Sequence, residues 1–337
     1  MANIQSEENN LPIDVVIAWV DGNDPKLAAK RQLHINGSIK STQSGAHPTR
    51  FASINEVRYC VLSILRFSPF VRNIFIVTDG QDPNLYDDIR TYFPDRLNSL
   101  RIVDHTEIFE GFEKYLPTFN SISIGNMIWR IKGLSDRFVY FNDDLFLVRS
   151  MRPEDWFIGH QPVLRGSWAV APYYRMLWDG LRIGVNRCLL GNPQYEPRAS
   201  FHLGQWNSAS ALGFWIRYLS NGHTPHTVNR KVLENFFLSH LPLFERNISY
   251  RFRHPAQFTI IALSNHLQLL SGNNHIAKPS LAYLHPYKRP SNYIDRKIQK
   301  CENDSKIKYL CVQSLEMCPK GNQDKIFRWL NARLGLT

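Results

Sequence analysis

Four short apolar runs in the first 150 residues each break into an acidic turn: WVDGND (19–24), IVTDG (76–80), RIVDH (101–105) and YFNDD (140–144). Aspartate is a favoured turn and helix-cap residue, so local structure alone explains any one of them. Asp21, Asp24, Asp79, Asp104, Asp143 and Asp144 would nevertheless crowd together if the four runs were neighbouring strands. Like charges held close are unfavourable unless a cation or a basic side chain compensates. The pattern therefore calls for a divalent ion or a cationic clamp, and for a phosphate-bearing ligand. Paired aspartates after an apolar strand suit Mg²⁺ or Mn²⁺, which take few protein oxygens and let phosphates complete the shell. An EF-hand is excluded, because the loop from Asp21 lacks the glycine spacing and has Gln32 at the position of the bidentate glutamate. Neither the P-loop pattern nor the dinucleotide-binding glycine pattern occurs.

The elements that must position these acids follow from periodicity. IDVVIAWV (13–20), NIFIVT (73–78), LRIVDH (100–105) and RFVYFN (137–142) are nearly continuous apolar runs. Between them, Ile54, Val57, Val61, Ile64 and Leu65 share one helical face, and so do Ile124, Ile128, Ile131 and Leu134. The second pattern has start signals at Thr118, Asn120 and Ser121 and a stop at Gly133. Strands apolar on both faces that alternate with helices imply an α/β fold, a mostly parallel sheet with helices on both faces. Ligands of such sheets bind beyond the carboxyl ends of the strands, where the acidic turns would lie. Residues 1–150 are expected to form this core. Residues 151–337 would supply an acceptor site and a helical C-terminal part, completing one catalytic unit. The polar stretch 36–50 is expected to be a loop.

Composition narrows the classes further. The 337 residues are 43% hydrophobic and 20% charged, ordinary for a globular chain. The N-terminus is polar and acidic, unlike a signal peptide, and no apolar run is long enough to span a membrane. These features imply a cytoplasmic protein. Five scattered cysteines match no zinc template and read as reduced thiols. The net charge is +11, and residues 287–333 carry eleven Lys/Arg against five Asp/Glu. Such a surface suits anionic headgroups, a phosphorylated substrate or nucleic acid. No nucleic-acid-binding motif accompanies it, so nucleic acid is not an expected partner.

Three blocks, IDVVIAWVDGNDP (13–25), EVRYCVLSILRFSPFVRNIFIVTDGQDP (56–83) and LPTFNSISIGNMIWRIKGLSDRFVYFNDDLFL (116–147), resemble the first two conserved regions of the Stealth proteins. A third region is similar at GHTPHTVNRKVLENFF (222–237), with H-x-P-H-x-x-x-R at His223, Pro225, His226 and Arg230, and a weaker fourth at 308–330. Stealth proteins are sugar-1-phosphate transferases of capsule and cell-surface polysaccharide synthesis, related to the lysosomal N-acetylglucosamine-1-phosphotransferase. The resemblance implies a nucleotide-sugar transferase core of Rossmann-like, GT-A-like type. It implies that an acceptor hydroxyl attacks a UDP-sugar at its sugar-proximal phosphorus, forming a phosphodiester and releasing UMP. It also implies Mg²⁺ or Mn²⁺, a glycan acceptor that can be lipid-pyrophosphate-linked, and peripheral contact with the inner face of the membrane through the basic C-terminal part.

By the same resemblance, Asp143 and Asp144 hold the metal or orient the acceptor. Trp19, Val20, Asp21 and Gly22 line the nucleotide pocket, the indole giving a flat face to uracil, with Asp24, Asp79 and Asn142 nearby. Arg58, Arg230 and Arg253 are the candidates to neutralise pyrophosphate oxygens, since a guanidinium pairs with phosphate bidentately. His226 is the first choice for general base and His223 the second, imidazole titrating near neutrality. Asn120 and Ser121 serve as a helix cap, a substrate contact, or both. Two positions depart from the pattern: Gly125 replaces the family's usual Glu, and Leu62 stands where many members have Arg. A glycine inside a helix would be accounted for by close approach of a ligand or a neighbouring chain. Two rival readings remain: a metal-dependent glycosyltransferase that moves the sugar alone and releases UDP, and a non-catalytic protein that binds membrane or nucleic acid.

Overall fold

The computed structural model describes residues 11–35, 54–193, 195–287, 289–290 and 292–336, so the expected loop at 36–50 lies outside the described residues. Ten strands carry the argument: β1 (Ile13–Ala18), β2 (Val71–Thr78), β3 (Leu100–Asp104), β4 (Arg137–Asn142), β5 (Leu145–Leu147), β6 (Ser167–Val170), β7 (Arg217–Ser220), β8 (His226–Asn229), β9 (Leu281–Leu284) and β10 (Tyr309–Val312). The main sheet has the order β8-β4-β1-β2-β3. Its last four members are mutually parallel, and β8 runs antiparallel beside β4. The register aligns Ala18 with Asn142 and with Val77, and Thr78 with Asp104, so the four acidic turns leave one edge of the sheet.

Alternation along the strands sends side chains to two separate cores. Val15, Ile17, Ile74, Ile76, Val139 and Phe141 enter one, and Val16, Phe75, Val77, Val103 and Phe138 the other. The first is closed by α2 (Glu56–Phe67), which follows the short α1 (Pro25–Gln32) and precedes α3 (Tyr86–Tyr92). The second is closed by α4 (Ser121–Gly125) and, later in the chain, by helices lying beyond α5 (Tyr173–Gly184) and α6 (Phe201–Ser210). Those later helices are α7 (Arg230–Ser239), α8 (Leu241–Ile248) and α9 (Ile260–Leu270). Helices thus cover both faces of a mostly parallel sheet. The C-terminal part adds α10 (Tyr293–Asn303) and α11 (Lys320–Leu334), together with a small sheet of order β9-β10-β5. Leu310, Val312, Ile326 and Leu330 pack in the same core as Val15 and Ile17, so residues beyond 150 complete the first core.

The second helix expected from periodicity is broken. Ile124, Ile128, Ile131 and Leu134 are all buried, but α4 stops at Gly125 and a short 3₁₀ turn spans Ile128–Arg130. At the end of α4 the Asn126 backbone N–H and side-chain Nδ2 both donate to the Ile122 carbonyl (3.0 and 2.8 Å). Gly125 does not mark a close approach either: an added Cβ would meet Ile260 at an ordinary 3.7 Å.

At the opposite edge of the sheet, the fully buried Asp14 carboxylate accepts bonds from Arg72 (2.9 and 2.5 Å) and from the backbone N–H groups of Ser135 (2.7 Å) and Asn73 (3.1 Å). This pins β1 to β2 and to the entry of β4. Asp14→Asn should cost about 2–4 kcal/mol in urea unfolding. Breaking the exposed Lys320–Asp324 pair should leave the midpoint nearly unchanged.

Candidate active site

Asp143 and Asp144 occupy the turn between β4 and β5. The turn is fixed by backbone geometry, since Val312 N–H donates to the Asp144 carbonyl at 3.0 Å and Cys311 pairs with Leu145. From below, α2 supports it: the Cys60 thiol donates to the Asn142 carbonyl (3.6 Å), and Leu147 N–H donates to Ser63 Oγ (3.0 Å). The first residue of α2 is Glu56, 6% exposed, its carboxylate accepting Ile54 N–H at 2.7 Å. Burial, then the charges of Asp144 and Glu56, push the Asp143 carboxyl well above the usual carboxylate range. Burial raises Asp144 to about 6, with Glu56 adding to the rise and the Cys311 thiol, 3.5 Å from Oδ2, opposing it. The other oxygen, Asp144 Oδ1, is buried with no hydrogen-bond partner among the described residues.

An unpartnered buried carboxylate oxygen beside a second carboxylate fits a divalent cation that completes its shell with phosphate and water oxygens. Among the described residues, no group of three or more His, Cys, Asp or Glu is arranged to hold an ion unaided. Asp143 and Asp144 are the side chains that could hold it.

A guanidinium shares a neighbour with this pair. Arg253 donates to Ser121 Oγ from Nε (3.1 Å) and Nη2 (2.5 Å). Both Arg253 and Asp143 act on the Tyr140 hydroxyl, which burial, reinforced by Asp143 and opposed by Arg253, pushes up to about 12. The Arg253 loop is held by a buried amide network. Asn120 Nδ2 donates to the Tyr250 carbonyl (2.9 Å) and to Gln257 Oε1 (2.8 Å), and Gln257 Nε2 donates to the Asn247 carbonyl (2.7 Å). Asn120 also caps α4, accepting Ile122 N–H at 3.0 Å, and is fully buried. It is therefore a cap and a brace.

β8 brings the two histidines to the same edge. His226 pairs in register with Tyr140, and its Nε2 lies 3.1 Å from the Gly222 carbonyl, which assigns the proton to Nε2 and leaves Nδ1 as the lone-pair acceptor. Burial lowers it to about 3, so the ring is neutral at physiological pH. His223 stacks on Phe201 (5.5 Å) and leans on Tyr283 (5.3 Å), whose hydroxyl senses the Asp144 charge.

The remaining acids divide by role. Asp24 caps α1 and accepts from Gln81 (3.0 Å), and Asp104 accepts from Gly80 N–H (2.7 Å) and Thr106 N–H (2.9 Å). Asp79 is paired through both oxygens with Lys30 (2.7 and 2.8 Å). Asp21 caps Asn23 N–H, and its backbone is clasped by the Gln81 amide, which donates to the Asp21 carbonyl and accepts its N–H. Val20 and Gly22 are half-buried beside it, and Asn142 is exposed next to the carboxylate pair.

Three of the expected residues have surroundings that the sequence does not show. Trp19 is 8% exposed and packs in the first core, so its indole offers no open face to a base. Arg58 is committed to a bidentate pair with Asp88 (2.8 and 2.6 Å). Arg230 pairs with Asp136 (2.9 Å) and Glu234 (3.3 Å) before β4 begins, about 20 Å along the strand from Asp143. The antiparallel direction of β8 carries Arg230 away as it brings His226 in. Sequence reasoning missed Glu56, Gln81, Tyr140, Gln257, Tyr283 and Cys311. Only Glu56 left a signal, as an acid at the head of an apolar helix.

A carboxyl whose folded pKa of about 6 exceeds its unfolded value stabilises the native state only while protonated. This contribution is present below the unfolded pKa and is lost as pH rises toward 6. In chelator, Asp144→Asn should match wild type near pH 4 and gain about 1–3 kcal/mol, a Tm rise of about 2–6 °C, above pH 6 to 7. His226 has the opposite sign: its depressed value withdraws stability as pH falls from about 6.5 toward 3, equally in both proteins.

Residues 11–33 match the model of Stealth protein conserved region 1, and residues 50–163 that of conserved region 2. The chain is 39% identical over 159 residues to the exopolysaccharide phosphotransferase SCO6023 of Streptomyces coelicolor, covering 47% of this chain and 25% of that protein. It is 40% identical over 146 residues to the capsular polysaccharide phosphotransferase cps1A of Actinobacillus pleuropneumoniae, covering 43% and 38%. Similarity to the receptor polysaccharide phosphotransferase WefC of Streptococcus oralis is 28% over 292 residues, covering 81% and 82%. The chain thus spans between a quarter and two fifths of the first two relatives. Among solved structures, an active-site mutant of LgtC aligns over 95% of both chains at 10% identity and a TM-score of 0.43. Conserved region 1 supplies β1 and the Asp21 turn, and conserved region 2 supplies α2, β2 to β5 and the carboxylate pair: residues 11–163 of this chain carry two conserved regions of the Stealth proteins.

Proposed function

We propose that the protein transfers a sugar-1-phosphate from a UDP-sugar to a hydroxyl of a glycan acceptor, in capsular or cell-surface polysaccharide synthesis. The observation that carries this reading is the Asp143–Asp144 pair at the carboxyl edge of the sheet, with its unpartnered Oδ1, beside Tyr140, on which Arg253 also acts. The relatives' names support it, each being a polysaccharide phosphotransferase.

In the proposed step the acceptor oxygen forms a bond to the sugar-proximal phosphorus as the bond from that phosphorus to the UMP oxygen breaks. The hydroxyl proton passes to protein and UMP leaves with the electron pair. Such a reaction asks mainly for positioning and charge neutralisation. Mg²⁺ or Mn²⁺ on Asp143 and Asp144 would neutralise the diphosphate and the developing charge on the leaving group. Arg253, oriented by Ser121, pairs with phosphate oxygens as a planar donor. Asp21, Gly22 and Val20, held by the Gln81 clasp, border the nucleotide side. His226 Nδ1 is the first candidate to accept the proton, and His223, on the side of Phe201 and Tyr283, is the second. Its low pKa makes His226 a weak base until a bound ligand alters its surroundings. No described helix is long and apolar enough to cross a membrane. In this reading a lipid-pyrophosphate-linked acceptor would be met by peripheral contact with the inner face of the membrane.

The direct test incubates the protein with a panel of UDP-sugars, Mg²⁺ and a short acceptor glycan, and measures which nucleotide appears. UMP is expected, with release abolished by chelator. Asp144→Ala should lower the rate by about 10³-fold or more and His226→Ala by about 10²–10⁴-fold. Release of UDP instead would identify transfer of the sugar alone, and unchanged rates in both variants would remove this site from the reaction.

A further inference from the structure

Helix α5 is mounted with its apolar face outward. In a 3.6-residue repeat Tyr174, Leu177, Trp178, Leu181 and Val185 fall on one stripe, and these residues are 80, 71, 57, 62 and 45% exposed. The opposite stripe, Met176, Asp179, Gly180, Ile183 and Arg187, faces the body of the protein across a cleft of about 590 Å³. No residue of α5 is buried. A helix on a globular surface normally shows the reverse arrangement. The helical path continues through a π turn at Val185–Leu189, giving a rod about 25 Å long. At its start the apolar surface extends onto neighbouring strands. Val170 and Ile216 are each 80% exposed and Trp215 62%, and the Tyr173 hydroxyl donates to the Trp215 carbonyl at 2.6 Å. Trp168, 42% exposed, adjoins them on β6 under the Arg217 guanidinium, 4.6 Å from its ring.

We infer that this surface lies on an anionic lipid bilayer, with α5 in the plane of the headgroups. Three observations select a bilayer over a protein. First, three of the chain's eight tryptophans are exposed and all three are here, with Tyr173 and Tyr174; amphipathic rings of this kind favour the headgroup level. Second, arginines border the stripe: Arg175 and Arg182 flank α5, Arg182 lying 5.6 Å from the Trp178 ring, and Arg217 sits on the neighbouring strand. Third, the nearby acids are committed to partners. Asp179 keeps only 16% side-chain exposure, 3.9 Å from Arg175, and Glu196 pairs with His254 at 2.7 Å. Docking with a second copy through the same face would set these arginines against their own counterparts with no acid between them, which is unfavourable. A positive rim with an apolar centre is complementary to anionic lipid.

The basic C-terminal part is a weaker claimant for this contact, because among the described residues beyond 287 only Met317 is an exposed large hydrophobic; there Lys325 is paired with Asp295 and Lys320 with Asp324. The chain that follows α5 reaches the candidate active site. Glu196 pairs with His254, which adjoins Arg253, and Phe201 at the head of α6 stacks on His223. This inference deepens the proposed function by naming the surface that would meet a lipid-linked acceptor, but its evidence is independent of the donor.

Flotation with vesicles of phosphatidylglycerol and phosphatidylcholine tests it, alongside UMP release on a water-soluble acceptor glycan. Wild type should float with anionic vesicles, and poorly with pure phosphatidylcholine. Leu177→Ser with Leu181→Ser should lower binding at least tenfold, and Arg175→Gln with Arg182→Gln several-fold, without loss of Tm or of UMP release. Lys320→Gln with Lys325→Gln should change binding little. The inference is overturned if wild type does not float, if only the C-terminal lysine variant loses binding, or if the α5 variants instead dissolve a dimer detected by sedimentation. UMP release is read separately, so failure of membrane binding and failure of the transferase reading are distinguishable.

Discussion

Two adjacent carboxylates forced close together, with a third beneath them, set the terms for the rest of this structure. Asp143 and Asp144 cannot separate, because β4 enters their turn from the central sheet and β5 leaves it into a second sheet whose register is fixed by β10. Glu56 is brought under them by α2, a helix that cannot shift without opening the first core. Left alone the arrangement is destabilising, since burial and mutual repulsion both oppose ionisation. The molecule accepts that cost at a place where one oxygen still lacks a partner. Local strain of this kind clusters at functional sites when the surrounding fold over-determines it.

The surroundings are built to hold opposing groups at this edge. Gln81 ties the turn after β1 to the turn after β2 with three bonds. The amide network of Asn120, Gln257 and Asn247 fixes the loop that bears Arg253. The antiparallel β8 inserts His226 beside Tyr140. These braces come from distant parts of the chain, so the site exists only when the C-terminal half has folded onto the N-terminal core. The outward-facing α5 belongs to the same half, and Glu196, further along the chain, pairs with His254 next to Arg253. A membrane contact there would place the interface and the candidate reacting groups on adjoining surfaces.

The four parallel strands and their acidic ends were legible because strands buried on both faces must be continuously apolar, and because acids at strand ends are visible as composition. The resemblance placed His226 on the chain, but not the direction of the strand that holds it. That direction is a tertiary property, and it explains why Arg230 lies at the far edge while His226 lies at the near one. Arg58 and Trp19 were misread for a related reason. A guanidinium or an indole looks available until a partner, here Asp88 or the first core, is known. The broken α4 shows a limit of periodicity: Ile124, Ile128, Ile131 and Leu134 are all buried as expected, yet the helix that their spacing implied stops at Gly125. Gln81, Gln257 and Tyr140 left no trace, since an amide or a phenol acquires its meaning only from what it faces.

The central claim is that this crowding is resolved by a cation shared with a diphosphate. Electron paramagnetic resonance of Mn²⁺ titrated into the protein, with and without UDP, tests it most directly. The account predicts weak binding of Mn²⁺ alone, at least tenfold tighter binding when UDP is present, and loss of that increment in Asp143→Asn. Binding of Mn²⁺ that is indifferent to UDP, or an increment that survives Asp143→Asn, would contradict it.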